Sequence, residues 1–144
     1  MDPSRVVITL GQGDPRDILT TSQLSLLELD LTPGQLELVE RLAYYFEAIG
    51  GKDWENLASG LGYKLPGVEA NLVRVRQGHI DHIDRAYPRM REKLLVVFSK
   101  FLGNCRRLEI EIDLPRHVAS LLLSRQLFGY PYISLAEEVL TMYN

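Results

Sequence analysis

Cysteine is nearly missing from this chain, which carries Cys105 alone among its 144 residues. A single thiol excludes an intramolecular disulfide framework and any cysteine-rich zinc site, and it points to a reducing, intracellular compartment. Long apolar runs are missing too. None approaches the ~20 residues needed to cross a bilayer, and the opening MDPSRVVITL lacks the extended apolar core of a secretory signal. A soluble, cytoplasmic protein with no membrane partner is expected. Tryptophan occurs once, as Trp54, and histidine three times. What is present is core material: 46% of the residues are hydrophobic, enough for one domain.

Charge is unevenly placed. The formal net charge is only −3, but Met1 to Glu55 holds ten acidic and four basic residues, whereas Lys64 to Arg125 holds seven acidic and twelve basic ones. Such asymmetry steers association between copies or with a complementary partner, or else forms a mixed solvated surface.

Punctuation residues set the order of elements. VVITL at 6–10 is β-branched and strand-like, and Gly11, Gly13 and Pro15 interrupt it. Asp17 to Leu29 fits a short helix, with Ile18, Leu24, Leu27 and Leu31 only loosely on one face. Thr32-Pro33-Gly34-Gln35 is a sharper start signal, with Thr as cap, Pro at the first helical position and Gln three after the cap. A helix from Pro33 to about Ile49 follows. Its buried stripe is Leu38, Leu42, Tyr45, Phe46 and Ile49, and Gly50-Gly51 ends it.

Asp53 opens a second helix to about Leu61, with Trp54, Leu57, Ala58 and Leu61 on one face and Gly62 as its stop. Pro66 predicts the start of a third, carrying Val68, Leu72 and Val75. A turn at Gly78, an ambiguous short helix and Pro88 come next. A strong helix then runs to about Leu102 with the stripe Met90, Leu94, Val97, Phe98 and Phe101, closed by Gly103-Asn104. From Cys105 to Leu114 the apolar residues Leu108, Ile110 and Ile112 alternate at strand period. That run either forms a short β-patch with Val6 to Leu10 or lies extended with its apolar side on the bundle. Pro115 opens a helix with Val118, Leu121, Leu122 and Leu127 inward, and Phe128-Gly129-Tyr130-Pro131 makes a turn. Ser134 caps a final helix, with Glu137 at its capping-box position and Leu135, Val139 and Met142 apolar.

The cadence of helix, Gly-Gly stop, Asp53-Trp54, Leu57-Ala58 and Leu61-Gly62 resembles the opening of a death domain. Three later segments resemble the family in order and spacing: Arg85 to Leu95 its approach to the fourth helix, His117 to Leu122 its fifth, and Ser134 to Val139 its closing helix. The likeness covers about residues 33 to 143. Residues 1–32 have no counterpart and form an N-terminal extension. The resemblance implies an all-α fold, a six-helix antiparallel bundle over 33–144. It also implies an adaptor without catalytic chemistry or cofactor, which builds signalling complexes of the kind found in apoptosis and innate immunity. The partners implied are other death-domain proteins and further copies of itself.

The residues suggest no enzyme. His79 and His82 have HxxH spacing with Asp81 and Asp84 interleaved, but no recognised ligand framework completes a metal site. Gly11-Gln12-Gly13-Asp14 lacks the Gly-Lys-Ser/Thr of a phosphate loop. Cys105 beside Arg106-Arg107 invites a lowered thiol pKa, without an assignable base.

Two charged patches are the candidate interaction sites. One is acidic, on the first two predicted helices: Glu40, Glu47, Asp53 and Glu55. The other is basic: Arg74, Arg76, Arg85, Arg89 and Arg91. Opposite charges on separate patches allow head-to-tail assembly. The alternative is a small helical nucleic-acid-binding protein that uses the basic 74–93 segment; the sequence pI of 5.6 and the interleaved Asp81, Asp84 and Glu92 count against it.

Overall fold

The computed structural model describes residues 19–62 and 74–142. Among them the protein is all-α, with no strand: α1 Thr21–Asp30, α2 Pro33–Ile49, α3 Asp53–Gly60, α4 Gln77–Ala86, α5 Met90–Arg107, α6 Leu114–Leu122, α7 Arg125–Phe128 and α8 Ile133–Met142. Five of these eight correspond to helices of the expected six, and Thr21–Asp30, Gln77–Ala86 and Arg125–Phe128 are the other three. The predicted helix at Pro66, the run Val6 to Leu10 and the side chain of Met142 lie outside the described residues.

Capping chemistry sets several helix starts. Thr20 and Gln23 satisfy each other's backbone N–H groups at 3.2 and 2.8 Å, and Thr32 and Gln35 repeat the device at 3.1 and 3.0 Å. Each box quiets two of the orphan donors at a helix N-terminus. Pro33 adds a preset backbone angle at the start of α2. Gly50 and Gly51 stop that helix in conformations that side chains resist, with φ of 69° and 76°.

Helix α5 is the hub, packed by α1, α2, α3 and α4. Its stripe residues are buried as expected. So are Leu95, Val96 and Leu102, because neighbours cover it on several sides. Lys93 is also buried, and its ammonium is satisfied by the Asp84 carbonyl at 2.7 Å and carboxylate at 2.8 Å while lying 5.4 Å over the Trp54 ring. Trp54, Leu57, Ala58 and Leu61 are all buried, tying α3 to the same core.

Gly103-Asn104 does not close α5. The helix runs on to Arg107 and ends in a Schellman motif, where Ile110 N–H reaches the Cys105 carbonyl at 2.9 Å and Glu109 N–H reaches that of Arg106 at 3.1 Å. Glu109 occupies the left-handed position at φ 57°, usually a glycine's. Past it, no strand forms from Ile110 to Asp113; the segment runs as a loop with Ile110 and Ile112 against the core and Glu111 and Asp113 exposed, as the loop alternative expects. Alternation here records one wet side rather than a sheet.

Other boundaries shift too. Gly78 sits inside α4 rather than in a turn, and Ser134 lies within α8, which begins at Ile133. Ile49 is 46% exposed, so it falls off the α2 stripe. Leu24, Leu27 and Leu31 join the common core, so α1 is part of the bundle that residues 33–142 build. Helices α6 and α8 pack on each other; α6 meets α3 and stacks His117 on Phe101 of α5, and Glu138 of α8 pairs with Arg41 of α2 at 3.0 Å. Gly62 permits a further close approach: a Cβ there would stand 2.7 Å from the Arg74 backbone.

Candidate interaction surface

The structure brings some of the acidic and basic candidates together: Glu40 and Glu47 with Arg89 and Arg91. Arg91, at the start of α5, places its guanidinium 2.6 Å from Glu28 of α1 and 3.0 Å from Glu40 of α2. One basic candidate is therefore spent on an acidic one inside the molecule. The three side chains are 30 to 49% exposed, so water screens the cluster and its main effect is to fix α1 and α2 on α5.

Asp53 is similarly engaged. Its carboxylate accepts from the Tyr130 hydroxyl at 2.9 Å and from the Tyr132 hydroxyl in a short contact. Burial pushes the Tyr132 phenol far above its usual range, and the hydrogen bond to Asp53 adds to the shift. Tyr132 also meets Tyr45, Phe46 and Phe128 edge to face, so Asp53 anchors the chain before α8 to the start of α3.

Glu55 is a poor surface group. Its side chain is 12% exposed, its nearest cation Lys52 stands 3.9 Å away, and Oε2 has no hydrogen bond. Burial raises its pKa; Asp84 and Asp81 push the same way, and Lys52 opposes them. Arg74, Arg76 and Arg85 are exposed on and before α4.

What the fold brings together is a groove of about 640 Å³ between α2 and the start of α5. Glu40 and Glu47 come from α2, Arg89 and Arg91 from the α5 side, and Tyr44 and Met90 supply apolar surface with Ala43 and Ala48. Tyr44 is 73% exposed. Charge counting overlooked it, although an aromatic residue outside the buried stripe of α2 was the available signal. Glu47 and Arg89 are exposed, and their side chains make no ion pair or hydrogen bond among the described residues.

The remaining chemical candidates are quiet. Burial raises the Cys105 thiol, and Arg106 only partly opposes that, so the cysteine is not activated. His79 is lowered by burial, and His82 has a buried Nε2 without a partner. Among the described residues no three His, Cys, Asp or Glu side chains gather as a cation site. No described helix is long and apolar enough to cross a membrane.

Comparison with known proteins returns nothing: no family model, no curated protein and no solved structure matches the chain.

Proposed function

We propose that this protein is a homotypic interaction module of the death-domain kind, an adaptor that assembles signalling complexes in the cytoplasm by binding other such domains and copies of itself. The observation that carries the proposal is the fate of the Asp53 to Leu61 cadence: Trp54, Leu57 and Ala58 of α3 and Leu61 just past its end are all buried, and Asp53 is held by the tyrosines that precede the last helix. The residues on which the resemblance rests are thus those that join the front of the bundle to its back. An all-α fold with a charged, tyrosine-bearing face on α2 supports the same proposal.

Charge neutralisation weakens the nucleic-acid alternative. Within the basic 74–93 run, Arg91 is held by two carboxylates and Lys93 by Asp84, so fewer cations are left to meet phosphates. Fluorescence anisotropy decides between the two, with labelled chain titrated by unlabelled chain and, separately, by a short DNA duplex in the same buffer. Salt-sensitive binding to itself without binding to the duplex is the expected result. Duplex binding with a steep salt dependence, in the absence of self-binding, would overturn the proposal.

A further inference from the structure

The groove between α2 and the start of α5 carries both signs of charge on facing walls. Glu40 and Glu47 supply two negative charges, and Arg89 and Arg91 two positive ones. Such a surface has no net preference for a polyanion or a polycation. It asks for a partner that also carries both signs at the same spacing.

Glu40 and Arg91 already satisfy each other at 3.0 Å. The unanswered charges are Glu47 on one wall and Arg89 on the other, with exposed Tyr44 and buried Met90 among the residues of the same groove. A patch with an unpaired acid on one side, an unpaired base on the other and apolar surface in the same groove is its own complement under a two-fold rotation.

We infer that this groove pairs with the same groove of a second copy about a two-fold axis, Glu47 of each chain opposite Arg89 of the other, with the Tyr44 rings packed near the axis. The pairing rests on the homotypic function proposed above and gives it a geometry: a closed dimer rather than the head-to-tail chain that two separate patches would build. Each charge contact occurs twice in such a dimer, so one substitution is felt twice. Exchanging a single sign turns two attractions into two repulsions.

Sedimentation equilibrium tests the pairing with the full chain and the variants Glu47→Arg and Arg89→Glu, both at exposed positions whose folding is checked by circular dichroism. The parent should saturate at twice the 16.4 kDa chain mass. Each variant alone should weaken dimerisation by about tenfold or more. An equimolar mixture of the two should restore it, because every facing pair is again opposite in sign. If the parent associates and both variants associate equally well, the groove is not the interface, although the module still self-associates. Masses that climb past the dimer with concentration would replace the closed pair by an open assembly. A parent that stays monomeric would overturn the self-pairing and leave only binding to a different domain.

Discussion

The Arg91 guanidinium lies 3.0 Å from the Glu40 carboxylate across the α5 and α2 helices, and reaches Glu28 at 2.6 Å with the same nitrogen. Removing its charge leaves two carboxylates close together with no cation between them. Arg91→Met is therefore expected to cost about 0.5–1 kcal/mol of stability, the upper part of what a half-exposed, solvent-screened pair supplies. Urea unfolding measures it, and raising the salt should shrink the difference. Glu40→Arg should destabilise by a similar amount through repulsion of Arg91. A loss of assembly in that variant would then report folding as well as interface.

At the end of α5, Glu109 adopts the left-handed conformation that glycine adopts without a Cβ clash. Glu109→Gly is expected to stabilise the protein by about 1 kcal/mol, read as a higher melting temperature. Gly103→Ala should also stabilise, by about 0.5–1 kcal/mol, because Gly103 is helical and an added Cβ meets nothing nearer than an Arg106 nitrogen at 4.0 Å.

His117 is lowered by burial, while its Nε2 contact with the Leu61 carbonyl, at 2.5 Å, pulls the other way; the ring also stacks on Phe101. Below about pH 6.5 the unfolded chain takes up a proton that the folded chain resists, so stability falls as pH drops from there toward the folded pKa. His79 is lowered in the same direction. The unfolding midpoint should fall between pH 7 and pH 5, and His117→Gln should flatten that slope without abolishing it.

Glu55 has the opposite sign. Its carboxyl is raised by burial, so ionisation costs the folded state stability as pH rises through the folded pKa. Glu55→Gln should raise the melting temperature at pH 7, and the gain should vanish below about pH 4.5, where both chains are neutral at this position.

Much of the scaffold was legible where local chemistry decides it. The Thr32-Pro33-Gln35 signal and the Gly50-Gly51 stop bracket α2 at its observed ends, and the Trp54 face marks α3. Gly103-Asn104 misled because a glycine inside a helix surrounded by neighbours is overridden by packing, whereas the actual stop uses a glutamate in a glycine's conformation. For Leu108 to Asp113 the alternation leaves a strand and an extended loop leaning on the bundle equally open, since both share the same period, and packing of Ile110 and Ile112 on the core decides for the loop. At the candidate surface the charges were legible and their pairing was not. Arg91 and Glu40 are 51 residues apart, and only the packing of α2 on α5 makes them neighbours. Counting charge along the chain therefore separates Glu40 and Glu47 from Arg89 and Arg91, which the fold brings into one groove.

The measurement that bears most directly on a homotypic module is the molar mass of the unmodified chain, by light scattering after size exclusion, over a rising concentration series at low and then high salt. The mass should rise from the 16.4 kDa monomer with concentration and fall back when salt is added. A mass fixed at the monomer value at every concentration and salt level would contradict homotypic assembly.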